Sequence, residues 1–280
     1  MNGSAIIAKR CRTPTATVER AVYEEFLPSL PVPAVGCRGF VAEPEGEFCW
    51  LFLEDAGTHA YSPANEEHRV LAGRWLGAIH RARLPADFRA QLPDRGTNHY
   101  LQSLRVARAE LGESFDNPVF LADDVAMLRS VVAQCEVVEA HWDELERFCQ
   151  DLQRTLVPGA FVVKNLRLRS GANGPALLVF DWEMAGWGVP ATDLAQFLGR
   201  TVSPDLEVYS SLLRQDFPQL DLRDIQRLAD YGNILRLVDK IFWEAKRLVG
   251  GSYEVVLKPL MTVQLYEPQL ATALRAVGWS

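Results

Sequence analysis

Apolar positions change their period along the chain. Up to about residue 57 they come in short runs. Ala5 to Arg10 (AIIAKR) is β-prone and leads into a Thr/Pro turn, and Phe48 to Leu53 (FCWLFL) reads as a buried strand. Between them, Thr17 can cap a helix over Val18 to Phe26, ended by Pro28 and the Pro-Val-Pro of 31–33. After the second strand, Glu54-Asp55-Ala56-Gly57 is polar and can turn. From Asn65 the spacing becomes helical: Val70, Leu71, Trp75, Leu76 and Ile79 recur on one face, and amphipathic stretches cover about 100–112, 122–135 and 137–155. Two β-like runs, Ala160 to Leu168 and Pro175 to Trp182, flank Ser170-Gly171-Ala172-Asn173-Gly174 and predict a hairpin. Helices are expected again over about 191–200, 205–215, 221–248 and 252–276. The pattern predicts an α+β protein: a small α/β lobe, then a large mainly helical lobe with one embedded hairpin.

Composition narrows the function classes. The 280 residues, 48% of them hydrophobic, can bury a sizeable core. The charge of −7 disfavours a nonspecific grip on nucleic acid or an anionic membrane, and a cationic or neutral small substrate fits it better. No apolar run resembles a signal peptide or reaches about 18 residues, so a cytoplasmic location is expected. The five cysteines form no C-x-x-C pair, which points to reduced structural thiols.

Asn165 and Asp181 flank the predicted hairpin. Two oxygen-bearing side chains brought close there could hold Mg²⁺, although such residues are equally at home in turns and on surfaces. The stretch Leu156 to Leu198 (LVPGAFVVKNLRLRSGANGPALLVFDWEMAGWGVPATDLAQFL) resembles the core of the aminoglycoside phosphotransferase and choline kinase family. Gly159 and Asn165 match its catalytic loop. Asp181, Trp182 and Glu183 match its metal-binding segment, and Gly188, Pro190, Asp193, Leu194 and Ala195 match the helix after that segment. The resemblance implies a bilobal, protein-kinase-like fold in which Asn165 and Asp181 bind Mg²⁺ and ATP, while Asp193 buttresses the catalytic loop. It extends to Lys9, placed as the strand lysine that contacts ATP phosphates, to Glu19, which pairs with that lysine, and to Tyr23. Glu54, Asp55 and Ala56 match the hinge whose backbone meets adenine, and His80 matches a packed structural residue. Residues 1–57 would form the N-terminal lobe, with the hinge at about 54–57. Residues 58–280 would form the C-terminal lobe, with the catalytic hairpin at 156–183.

Two departures qualify the expectation. The family's His-Gly-Asp triplet reads Pro158-Gly159-Ala160, so the catalytic carboxylate is absent and Ala160 can neither accept a proton nor ligate metal. Only eight residues precede Lys9, which implies a truncated N-terminal lobe. Val189 replaces the family's Asp, and Lys164 could add positive charge near phosphates. Two functions stay open: a slow ATP-dependent phosphotransferase acting on a hydroxyl of a small molecule or peptide side chain, or a pseudokinase that binds a ligand or docks a partner enzyme. For the acceptor, Arg236, Asp239, Lys240, Trp243 and Glu244 fall at helical spacing, with Asp239 and Trp243 on one face. Asp239 and Glu244 could attract a cationic or hydroxylated acceptor while Trp243 stacks on it. The same pattern also fits a solvated face with the Trp tucked into the core.

Overall fold

Cys49, Leu51 and Leu53 are buried on one side of β3 (Phe48–Glu54), the central strand of an antiparallel sheet of order β1-β3-β2. The computed structural model describes residues 5–150, 152–171, 174–249 and 252–279. Strand β1 (Ile6–Arg12) and β2 (Cys37–Ala42) flank β3; β2 was not expected from the sequence. Helix α1 (Thr13–Ala21) starts directly after β1, with Pro14 in its first turn. Thr17 is therefore inside the helix and not its cap, its Oγ1 donating to the Thr13 carbonyl at 2.8 Å. One π turn (Val22–Phe26) and one 3₁₀ turn (Leu27–Ser29) end the helical segment.

The larger lobe begins with α2 (Glu66–Arg81), capped by the Asn65 side chain, which accepts from the Glu67 N–H at 2.9 Å. It continues through α3 (Ala86–Gln91), β4 (Asp94–Arg95), α4 (Thr97–Glu113), α5 (Ala122–Ala140) and α6 (Trp142–Gln150). The helix expected over 137–155 is broken at His141, which leaves helical geometry (φ −102, ψ 10) and stacks on Trp279 at 5.0 Å. Strand β5 (Thr155–Val157) comes next. The hairpin is β6 (Leu166–Gly171) with β7 (Gly174–Val179); Ala172 and Asn173 of the predicted turn lie outside the described residues.

The strand expected from Ala160 begins only at Leu166. Residues 160–165 are a loop ending in a 3₁₀ turn, because Val163 N–H bonds the Arg200 carbonyl (3.2 Å) and Asn165 N–H bonds that of Val162 (2.9 Å). Strand β8 (Gly186–Gly188) then pairs with both β4 and β5.

The helix expected over 191–200 is also absent. A 3₁₀ turn, Pro190–Leu194, gives way to irregular backbone because side chains take the amides a helix would use. Gln196 N–H donates to Asn233 Oδ1 (2.8 Å), and Phe197 N–H to Ser203 Oγ (2.8 Å). Helices α7 (Leu206–Leu213), α8 (Leu222–Ala245) and α9 (Tyr253–Ala276) complete the chain. The architecture is α+β, and no described helix is long and apolar enough to cross a membrane.

Helix α8 seats against the 190–194 turn at Gly232, where a Cβ would lie 1.9 Å from the Ala191 carbonyl oxygen. Gly232→Ala is therefore expected to destabilise the protein by about 1–3 kcal/mol, the usual range for overpacking. Urea unfolding would show this as a lowered midpoint with an unchanged slope.

Candidate active site

Lys9 Nζ, projecting from β1, lies 2.8 Å from Glu19 Oε2 on α1, 2.5 Å from Asp181 Oδ1 beyond β7, and 3.3 Å from Glu183 Oε2. Glu19 is fully buried, and its other oxygen accepts from the Trp182 N–H at 3.2 Å. Burial opposes the Lys9 ammonium, but Coulomb attraction to Glu19 and hydrogen bonds to Asp181 and Glu19 outweigh it and raise its pKa. Burial raises the Glu19 pKa too, against the attraction of Lys9. Asp181 is held at φ +69, an uncommon conformation that an Asp tolerates better than most side chains. Its N–H donates to Tyr23 Oη at 3.3 Å.

The loop after β5 is fixed from two sides. Gly159 takes φ +69, and a Cβ there would lie 1.9 Å from the Met184 carbonyl oxygen, so a glycine is required. Phe161 stacks on Trp75 of α2 at 5.6 Å, and Trp182 packs on the same indole at 5.8 Å. Asn165 is buried; its Nδ2 donates to the Ala160 carbonyl at 3.0 Å, and Oδ1 has no hydrogen-bond partner among the described residues. Its backbone carbonyl accepts from Phe180 N–H at 3.1 Å, which sets Asn165 beside the segment carrying Asp181. Lys164 Nζ stands 4.0 Å from Asp181 Oδ2.

Acidic oxygens of Glu19, Asp181 and Glu183 all lie within 4.8 Å of one another. An all-oxygen set, on a segment that the Asn165 backbone joins through Phe180, suits a hard cation such as Mg²⁺. Both Glu19 oxygens are engaged, by Lys9 and by the Trp182 N–H, whereas Asp181 and Glu183 each meet Lys9 through one oxygen, which leaves their second oxygens and Asn165 Oδ1 as candidate donors.

Two cavities lie near these groups: Phe180, next to Asp181, lines the first, and Lys164 and Glu183 line the second. The first, about 240 Å³, is lined by Glu54, Asp55, Ala56 and Gly57 together with Ile7, Val35 and Phe180. The backbone N–H and C=O of Ala56 make no hydrogen bond among the described residues. Glu54 instead pairs with Arg169 at 2.9 Å, and the Asp55 carbonyl accepts from Arg169 at 3.3 Å.

The second cavity, about 420 Å³, is lined by Ala160, Lys164, Glu183, Arg236, Asp239, Lys240 and Trp243, among others. Trp243 is 50% exposed, which rules out the core-tucked reading of that residue. Glu244 is not part of this wall; it pairs with Arg247 at 3.0 Å. Burial raises the Asp239 pKa, partly offset by Arg95 and Arg236.

Asp193 makes no hydrogen bond to the loop among the described residues. It is buried with its Oδ2 3.4 Å from His80 Nε2, while Arg236 reaches the loop through the Phe161 carbonyl at 3.4 Å. His80 is a packed residue, its Nδ1 2.9 Å from Tyr209 Oη. Sequence reasoning gave Arg236 and Lys240 no role. Their four-residue spacing placed them on one helix face, but that neither has an ion-pair partner among the described residues became visible only in three dimensions.

The profile of the phosphotransferase enzyme family, APH, matches residues 4–231. The chain belongs to this family. No curated protein matches the sequence. Among solved structures, a microcompartment-associated aminopropanol kinase has a TM-score of 0.65 at 14% identity, covering 100% of this chain and 89% of its own. A GDP and kanamycin complex of an APH(2") enzyme scores 0.62 at 12% identity, with 97% and 88% covered. An ethanolamine kinase from Plasmodium vivax scores 0.57 at 14% identity, with 93% and 70% covered. At these identities the likeness establishes the kinase-like fold.

Lys9→Met is expected to cost about 3–5 kcal/mol at pH 7.5, nearer the lower figure because Lys9 is 25% exposed, since three clustered carboxylates lose their counter-charge. Burial already raises the Glu19 pKa against the attraction of Lys9, and without that attraction it rises further, so the deficit should shrink as pH falls toward 5, where Glu19 takes up a proton. Melting temperatures of both proteins at the two pH values check this; a deficit that grew on acidification would contradict it.

Proposed function

We propose that the chain is an ATP-dependent phosphotransferase acting on a hydroxyl of a small molecule or peptide side chain, slowed by the replacement of the catalytic carboxylate by Ala160. The observation that carries the reading is the Lys9–Glu19–Asp181 cluster, whose chain neighbour Phe180 lines the hinge cavity and whose contact Glu183, 3.3 Å from Lys9, lines the cleft reaching Ala160. Family membership and the nucleotide complexes known among the structural neighbours support it. Residues 54–57 would act as the hinge between residues 1–57 and 58–280, and the protein would work in the cytoplasm.

In this reading the hinge cavity receives the purine, and the free backbone groups of Ala56 hydrogen-bond its edge. Lys9, fixed by Glu19, lends its charge to the triphosphate. Asp181 and Asn165, helped by Glu183, would hold Mg²⁺, which would supply positive charge against that of the phosphates. The acceptor enters beside Ala160, between Glu183 and Trp243. Its oxygen forms the new P–O bond as the bond to the leaving diphosphate breaks. No loop side chain takes the proton, which passes to solvent. Phosphoryl transfer depends mainly on positioning and electrostatics, so loss of a base leaves a reduced rate.

One observation favours a second reading, that of a pseudokinase holding a nucleotide or other ligand, or docking a partner enzyme, without transfer: Ala160 leaves the loop with no acid side chain facing the cleft.

Saturating Mg²⁺–ATP, at one hundred times its Kd, should stabilise the protein by about 2.7 kcal/mol in a thermal-shift titration. Asp181→Ala should abolish the shift, and no shift in the native protein would count against both nucleotide readings. Ala160→Asp is expected to raise phosphate transfer about 10²–10⁴-fold. Transfer detectable only in that variant, and never in the native chain, would favour the pseudokinase.

A further inference from the structure

Behind the acceptor cleft lies a second chamber of about 330 Å³, between α8, α9 and the irregular segment after residue 194. Arg236 and Lys240 line both spaces, so the two meet across these side chains. Arg200 adds a third cation to the inner wall, where the remaining lining residues include no carboxylate.

None of the three forms an ion pair among the described residues. Arg236 is 8% exposed, its Nε is buried without a partner, and its one hydrogen bond is the long contact to the Phe161 carbonyl. Lys240 Nζ sits 5.5 Å above the Tyr266 ring. Asp193 and Asp239 attract Arg236, and Asp239 and Glu244 attract Lys240, but with no ion pair to either among the described residues, two like charges one helical turn apart on this wall still favour an entering anion. Burial, then Arg236, lowers the Lys240 pKa to about 8, with Arg200 adding to the effect and Asp239 and Glu244 opposing it.

We propose that this chamber is an anion subsite, and that the acceptor is a small hydroxylated molecule bearing a phosphate or carboxylate group held by Arg236, Lys240 and Arg200. That the bound molecule is an acceptor rests on the phosphotransferase reading; the anion subsite does not. Arg236 offers a planar fork suited to either group, and Lys240 a point charge beside it. With the anion in the chamber, the rest of the molecule reaches past Arg236 and Lys240 into the cleft toward Ala160. The chamber itself offers a cation no carboxylate; in the cleft, α8 supplies only Asp239, whose pKa burial raises, and Glu183 is already 3.3 Å from Lys9.

The test uses the full chain and five probes: inorganic phosphate, glycerol 3-phosphate, glycerate, glycerol and ethanolamine, titrated by calorimetry. Binding is expected for the anions and not for glycerol or ethanolamine, with glycerol 3-phosphate against glycerate telling phosphate from carboxylate. The double variant Arg200→Gln, Lys240→Gln should weaken anion binding at least tenfold while leaving the Mg²⁺–ATP thermal shift intact. Lys240→Gln alone should raise the melting temperature at pH 7, because the folded protein no longer carries a charge it disfavours. That gain should fade above about pH 10.5, where the unfolded lysine is neutral as well. Anions that fail to bind, that bind the double variant as well as the native chain, or that bind more weakly than ethanolamine would overturn the subsite. Loss of the ATP response in the native protein bears on the nucleotide reading alone.

Discussion

One ammonium group fixes the relation between the two parts of the fold. Lys9 belongs to an edge strand of the small sheet, Glu19 to the helix directly after it, and Asp181 to the segment beyond the hairpin of the large lobe. Opposite charges at 2.8 and 2.5 Å in a half-buried setting hold these elements in register far more firmly than exposed pairs such as Arg12 with Glu47. The dependence spreads outward. Glu19 also binds the Trp182 amide, Trp182 packs on Trp75, and Trp75 stacks on Phe161 of the loop that carries Ala160. A surface strand is thereby connected to the loop beside the cleft through one half-buried ion pair and a run of buried contacts.

Much of this was legible in the sequence, and the reasons differ by element. Strand β3 and helix α2 could be read because their apolar spacing reflects burial on one side, which local sequence records directly. The cluster of Lys9, Glu19 and Asp181 was legible only through family resemblance, since no periodicity links residues 172 positions apart. The segment 191–200 defeated the pattern because its amides are taken by Asn233, Ser203 and Thr201, partners that only the tertiary fold supplies. The strand assigned from Ala160 failed for a related reason: the Arg200 carbonyl captures Val163 and turns the backbone before the ladder can begin.

Charge shows the same contrast between global and local information. A net charge of −7 suggested a cationic or neutral substrate, yet the chamber behind the cleft is lined by three cations and no acid. Net charge is an average over a surface, whereas recognition depends on the few groups that lose water together. Glu244, which the spacing offered as an acceptor contact, turns to Arg247, and Arg236 takes the place beside the loop that Asp193 was expected to fill.

Gly232, Arg236 and Lys240 succeed one another at intervals of one turn along α8. The notch at Gly232 lets the helix backbone come down onto the Ala191 carbonyl, and that depth of seating also sets how far the two cations project into the cavities on either side of them. The helix thus works as a lever whose fulcrum is a missing methyl group. Selectivity for what enters the cleft could drift through changes at this pivot, in a residue that touches no ligand, and a search for specificity determinants confined to the cavity walls would overlook it.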